Sequence, residues 1–420
     1  MQFQKTITRA STVKKDGRLM QAQGIFELPP AAESVVSWDL DFELPAAWNV
    51  GAIVGESGSG KTTIARELAA MLGGRLVEAK DADGNLREPF EWDRARAVVS
   101  HTDLPIAEWT GLLSRVGFSS PPAWCRPYQV LSNGQQFRVN LARGIAEAGD
   151  KPMFFDEFAS LVHDGVAGVA SAAVSKAIRS MGRQFVAVTW RQDILAALEP
   201  DWVLFVSSDG TARLELNAIS GDATSTEAAA AGRSVRPGED RRWSRPPIKL
   251  KVVRCAREAW DRFRGHHYLS SNLHRSAKCF LGLVDGEPAV FTAVLPFPHP
   301  TAPSWREHRT VCLPDFQGVG IGNAMSEFIA SLFSATGKPF TSTTSHPAMI
   351  RHRLRSPRWH CHRKPGMVAP SGKRSAGERD PGLGATLSVD RITAGFRYIG
   401  PPADPKMASA FGLSCGTLSA

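Results

Sequence analysis

The first half of the chain alternates short apolar runs with stretches of helical character. Residues 50–54 form one run, with Gly51 inside it, and residues 63–71 are strong helix formers. Residues 152–155 and 185–189 are further apolar runs, and residues 95–99 read as another strand. Continuous apolar runs of this length predict buried strands of an α/β fold. From 220 to 247 the pattern stops: Ser, Ala, Gly, Pro and charged residues follow one another without apolar periodicity, as in a linker. Order resumes at 248. A strand over 248–255 and a helix over 257–268 precede a hairpin of 277–284 and 289–295, joined through Asp285-Gly286, a pair suited to a tight turn. A strand over 309–313, a helix opened by the glycine-rich residues 315–322 and running to about 335, a strand over 340–345 and a helix over 347–354 follow. The pattern divides the chain into a nucleotide-binding type α/β domain at 1–219, a linker at 220–247 and an α+β domain at 248–420 with a basic C-terminal extension.

Length agrees, since 420 residues are too many for one compact α/β domain and comfortable for two. Charge divides at the same place. Residues 1–240 hold 24 Lys+Arg against 30 Asp+Glu, net −6, while residues 241–420 hold 26 against 11, net +15. A basic half on a mildly acidic one points to a polyanionic partner, nucleic acid first and cofactor phosphates second; a basic surface serving solubility is the alternative. No apolar run reaches the roughly 18 residues of a membrane helix, and residues 1–5 lack the apolar core of a signal peptide, so the expectation is no membrane span and a cytoplasmic setting. Six cysteines without a C-x-x-C pair fit a reducing compartment.

Three motifs carry chemistry. Gly55-Glu56-Ser57-Gly58-Ser59-Gly60-Lys61-Thr62 matches G-x-x-x-x-G-K-[ST] between the strand at 50–54 and the helix at 63–71, the context that a phosphate loop requires. Its glycines let backbone N–H groups converge on anionic oxygens, the helix N-terminus adds a favourable dipole, and Lys61 supplies a point charge. Leu131-Ser132-Asn133-Gly134-Gln135 begins 70 residues after Lys61. Residues 152–155 end in Asp156-Glu157, an apolar strand closing on two carboxylates.

In this order the set resembles the ATP-binding-cassette (ABC) ATPases over residues 20–215. The resemblance implies ATP and Mg²⁺ as cofactors. Gly55, Ser57, Gly58, Gly60, Lys61, Thr62 and Thr63 would hold the nucleotide, Thr62 and Asp156 the metal, and Glu157 would polarise the attacking water. Ser132, Gly134 and Gln135 would cap an ATP held by a second subunit, so hydrolysis implies a head-to-tail homodimer. The chain departs from the family twice. Ser160-Leu161-Val162-His163-Asp164 replaces the usual Ser-x-x-Asp, and Trp190-Arg191-Gln192-Asp193 offers no switch histidine, leaving Arg191 in its place. Arginine can contact a γ-phosphate through two donors but does not cycle a proton near neutral pH. Slow turnover or an ATP-gated clamp follows.

The second half resembles the Gcn5-related N-acetyltransferase (GNAT) fold through its element order and Gln317-Gly318-Val319-Gly320-Ile321-Gly322, a Gln-x-x-Gly-x-Gly turn before a helix. In that family the loop cradles the pyrophosphate of acetyl-coenzyme A, which makes Gln317, Gly318, Gly320 and Gly322 the expected contacts. For acyl transfer the residues offer Tyr268 as acid and Glu307 or His308 as base, each with a structural reading beside it. Residues 266–269 and Ser345-His346-Pro347 are similar to phage Mom-type DNA-modification proteins. The two halves together resemble ABC ATPases fused to a predicted acetyltransferase domain, implying an ATPase coupled to modification of a nucleic acid. The alternatives are an ATP-gated nucleic-acid clamp with an inactive GNAT fold, and the ATP-binding subunit of an ABC transporter.

Overall fold

The computed structural model describes residues 2–12, 14–27, 33–78, 88–160, 162–217, 242–267, 272–298, 302–367 and 392–414. The chain gathers into two interleaved units. One holds Met1–Pro89, Glu147–Leu161 and Ile178–Arg245; the other holds Phe90–Ala146, Val162–Ala177 and Pro246–Ala420.

The first unit is built on six strands: β3 (Val50–Gly55), β4 (Arg75–Val77), β5 (Met153–Phe155), β6 (Phe185–Thr189), β7 (Trp202–Val206) and β8 (Ala212–Leu216). Their order is β4-β5-β6-β3-β7-β8, parallel except for the β7–β8 edge. The apolar run of β3 is buried because it lies between β6 and β7 with side chains covered on both faces. Helix α2 (Lys61–Met71) buries Ile64, Ala65, Leu68 and Ala69, one helical stripe, in the same core. A separate antiparallel pair, β1 (Gln2–Thr12) and β2 (Glu33–Glu43), adds Phe3, Trp38 and Leu40 to that core, and α1 (Gly17–Ile25) connects them.

The second unit combines helices α3 (Ile106–Arg115), α4 (Pro121–Trp124), most of α5 (Asn133–Ala148) and most of α6 (Asp164–Met181) with a seven-stranded sheet. A short helix α7 (Leu195–Leu198) belongs to the first unit. The sheet strands are β9 (Leu250–Arg254), β10 (Lys278–Val284), β11 (Glu287–Phe297), β12 (Ser304–Cys312), β13 (Phe340–Thr344), β14 (Trp359–Met367) and β15 (Ile392–Tyr398). Spatial order is β14-β15-β13-β12-β11-β10-β9. All neighbours are antiparallel except β12 and β13, which are parallel and register only through Trp305 with Phe340 and Arg306 with Thr341. Helix α8 (Ile321–Ser334) packs Met325, Ile329 and Phe333 on this sheet; α9 (Pro347–Arg355) and α10 (Pro405–Ala410) follow. The β10–β11 turn has φ of 50° at Asp285 and 86° at Gly286, as a tight hairpin of this hand demands.

Several expectations change. Residues 95–99 are not a strand: Val98–Ser100 is a 3₁₀ turn, and the one bridge, Ala97 with Pro127, does not grow because proline brings no N–H to a ladder. Residues 257–266 form two 3₁₀ turns rather than an α-helix. Trp260 and Phe263, three apart, both pack on Phe291, the spacing at which 3₁₀ side chains share a face. Tyr268 lies outside the described residues, as do residues 220–241 of the linker. The linker's last residues are tied to the first unit: Trp243 N–H donates to Asn217 Oδ1 at 3.0 Å, and Arg245 pairs with Glu199 at 3.0 Å. Part of the basic C-terminal extension is sheet, since it supplies β14 and β15.

Candidate active site

The loop between β3 and α2 turns on glycines. Gly58 and Gly60 have φ of 84° and 94°, and a Cβ at Gly60 would stand 2.2 Å from the Trp38 ring. Both the conformation and the space therefore exclude a side chain there. A Cβ at Gly55 would meet the Val206 carbonyl. Ser57 and Gly58 are exposed, Thr63 is half-buried, and the Lys61 ammonium folds back to donate to the Glu56 carbonyl at 2.5 Å. The Thr62 hydroxyl is 3.1 and 3.2 Å from the two carboxylate oxygens of Asp156, which is buried at the end of β5. A hydroxyl and a carboxylate at the foot of a phosphate loop are oxygen donors of the type that Mg²⁺ takes, so the residues present fit that ion.

Glu157 follows with φ of 51°, a left-handed conformation unusual for a residue with a side chain, and its Oε2 accepts from Ser160 Oγ at 2.7 Å. The strained backbone and the hydroxyl together aim the carboxylate. Ser160 is the partner that motif reading missed, although its position three residues after Glu157 was open to view. Arg191 is buried, and its Nε and Nη2 reach Asp193 at 3.1 and 2.5 Å. Arg191 is thus held by the aspartate two residues on. That hydrogen bond, outweighing the opposing effect of burial, draws Asp193 below its ordinary pKa.

In the second unit Ser132 opens α5. Its N–H donates to Gln135 Oε1 at 3.2 Å, half of a capping box, while Gly134 leaves 3.2 Å between an added Cβ and Val166. Ser132 is exposed. Along the same helix Arg138 is fully buried and donates to the carbonyls of Pro314 and Asp315, just ahead of the second glycine loop. Burial brings its pKa down to about 10, so it stays charged at neutral pH.

That second loop is packed against protein. Gln317 Oε1 accepts from Ser119 N–H at 2.7 Å and its amide donates to the Cys312 carbonyl at 2.8 Å. Gly318, with φ of 91°, lies so close to Gly117 and Ala173 that a Cβ would stand 2.9 Å from the Gly117 Cα. Gly320 caps α8 in a left-handed conformation with φ of 102°, and a Cβ added at Gly322 would stand 3.9 Å from the Cys312 Cβ, an ordinary contact. Gln317 and Gly318 are accounted for by packing, leaving the Gly320 turn and the helix N-terminus as the part of the motif not so engaged.

A cavity of about 80 Å³ opens nearby, lined by His266, His267, Glu307, His308, Arg309 and His346 among others. Glu307 is buried and accepts from Thr310, Ser326 and Ser342 hydroxyls at 2.7, 2.7 and 2.5 Å and from Arg353 at 2.7 Å. Burial raises a carboxyl's pKa, but Arg353 and the hydroxyls offset this and leave Glu307 below its ordinary value. It is a committed acceptor rather than a base. His308 is pushed down to about 3 by burial and the neighbouring Arg309, and is neutral at pH 7. Among the described residues no group of three or more His, Cys, Asp or Glu assembles as a metal site, and no helix is long and apolar enough to cross a membrane.

No family profile and no curated protein matches the chain. Solved ABC cassettes are similar in structure. The dimeric structure of MJ0796, a bacterial ABC transporter cassette, is 16% identical, covers 44% of this chain and 92% of its own, with a TM-score of 0.32. MJ0796 in a post-hydrolysis state bound to ADP and Pi gives 14% identity, 51% and 98% coverage and a TM-score of 0.35. The cassette cbiO1 from Clostridium perfringens, part of the ABC transporter complex cbiONQ, gives 20%, 43%, 80% and 0.32. The chain's structural neighbours are thus ABC ATPase cassettes matched over about half of its length.

Proposed function

We propose that the chain binds and hydrolyses ATP as a cassette that closes head to tail with a second copy. The carrying observation is the Thr62 hydroxyl at 3.1 Å from Asp156, at the foot of a phosphate loop and next to Glu157. Mg²⁺ held by Thr62 and Asp156 would neutralise charge on the phosphates. Lys61 leaves the Glu56 carbonyl to meet β- and γ-oxygens, and the N–H groups from Gly58 to Thr62 converge on the same anion. Glu157, aimed by Ser160, accepts the proton of the attacking water. Ser132, Gly134 and Gln135, at an exposed helix start, cap the nucleotide of the partner copy. Arg191, tied to Asp193, holds that turn and makes the site a slow one.

The C-terminal sheet supports two readings. Its strand order, its single short parallel pair and the Gly320 cap support a GNAT-like domain acting with acetyl-coenzyme A, and the net positive charge of this half supports a nucleic acid as partner. The use of Gln317 and Gly318 in packing supports the second, a nucleic-acid clamp in which the loop is a joint. Calorimetry with acetyl-coenzyme A separates them: saturable binding abolished by Gly320→Val selects the enzyme, and no binding selects the clamp.

For the ATPase, Lys61→Ala is expected to lose ATP binding, whereas Glu157→Gln keeps it and accumulates a dimer on gel filtration with ATP and Mg²⁺. A Glu157→Gln protein that binds ATP and stays monomeric refutes the head-to-tail arrangement.

A further inference from the structure

Helix α9 carries Arg351, His352, Arg353 and Arg355 and no carboxylate. Two of these side chains are met by carboxylates. Arg353 pairs with Glu307 and His352 with Glu327, and Arg358 just past the helix shares Glu327. Arg351 and Arg355 stand one turn apart on one face, the spacing at which like charges repel. Among the described residues neither has a carboxylate within ion-pair distance, and the same holds for Arg115 at the end of α3.

The three are brought together by packing. Helix α3 packs against α9, and an Arg351 guanidinium nitrogen lies 3.6 Å from where a Cβ on Gly111 of α3 would stand. Arg351 is half-buried, and burial, then the Arg115 and Arg355 charges, lowers its pKa from its ordinary value. Elsewhere on this helix the protein meets the buried Arg353 with a carboxylate. Here it gathers three guanidiniums, each a planar fork of donors, and leaves the charge open to a ligand. Planar forks match phosphate oxygens in pairs. The N-cap of the same helix, His346, lines the 80 Å³ cavity, and nine helical residues span roughly 13 Å, so an anion on the last turn would sit about one helix length from that cavity.

We propose that Arg115, Arg351 and Arg355 form a seat for the phosphate backbone of a nucleic acid. It rests on the nucleic-acid reading of the basic half and names the surface that such a strand meets.

The test uses the full chain, fluorescence anisotropy and a short labelled duplex with its matching single strand, over a salt series. Arg351→Gln with Arg355→Gln is expected to weaken binding at least tenfold and to flatten the slope of log affinity against log salt by about one to two, close to one for each phosphate no longer neutralised. Arg262→Gln, an exposed arginine beside Glu287, should change neither. Where the double variant melts early, Arg355→Gln alone, at an exposed site, carries the comparison. Wild-type affinity and slope in these variants overturn the seat. Wild-type protein that binds no nucleic acid overturns the reading beneath it. Phosphatidylserine vesicles that bind wild type but not the double variant, with nucleic-acid binding unchanged, assign the seat to lipid and likewise overturn the proposal.

Discussion

Gln317 and Ser119, 198 residues apart in sequence, are joined by a 2.7 Å hydrogen bond from the Ser119 N–H to the Gln317 side-chain oxygen. The glutamine that motif reading gives to a cofactor loop is the pin between that loop and the segment after α3. Gln317→Ala should therefore leave the Ser119 N–H and the Cys312 carbonyl unpaired, at about 1–3 kcal/mol for a buried group. Gln317→Glu should cost more, because it sets an oxygen against the Cys312 carbonyl. Scanning fluorimetry ranks them; a Gln317→Glu protein as stable as wild type refutes the pin.

Ser160 acts on the proposed water-activating carboxylate through a single 2.7 Å hydrogen bond. Its replacement by alanine should lower kcat for ATP hydrolysis by about tenfold, the worth of one such hydrogen bond, and leave ATP affinity unchanged. Phosphate-release kinetics alongside nucleotide titration separate the two effects. An equal loss in both would mean that Ser160 supports the loop as a whole.

What the sequence made legible is what local chemistry dictates. The Gly58 and Gly60 turn and the Asp285-Gly286 hairpin each depend on a few neighbouring residues whose conformational limits are written in their side chains, whereas the approach of Thr62 to Asp156, 94 residues on, was legible only through the family resemblance. Arg138 and Arg353 were not legible, because an arginine in a helix reads as solvated unless its distant partners, Pro314 and Glu307, are known. The same limit applies to the interleaved units, since residues 90–146 and 162–177 join the C-terminal sheet through packing that no sequence spacing announces. The short helix expected at 257–268 failed for another reason: an i, i+3 apolar pair serves a 3₁₀ turn as well as an α-helix.

The Glu307–Arg353 pair is almost wholly buried, with the Arg353 guanidinium 4.3 Å above the Trp359 ring. Removing one partner strands the other's charge away from water. Arg353→Met should cost about 3–5 kcal/mol, and the double change Glu307→Leu with Arg353→Met should cost less than the single one. Urea unfolding of the three proteins decides; a double variant less stable than Arg353→Met would show that the hydroxyl network around Glu307, rather than the charge pair, holds this core.

His308 gives the second unit a pH dependence of known sign. Burial, then the charges of Arg309, His274, Arg306 and His267, brings its pKa down to about 3, against about 6.5 in an unfolded chain. Between these values the unfolded chain takes up a proton that the folded one refuses, so this contribution to stability is full above pH 6.5 and falls as pH drops. His266 and His346, lowered chiefly by burial, act with the same sign. Wild-type protein should thus lose stability between pH 7 and pH 5, and His308→Gln should show a shallower loss, by up to one proton and by less where water reaches the ring. Urea midpoints at the two pH values measure both slopes; parallel slopes would mean that His308 titrates as an ordinary histidine.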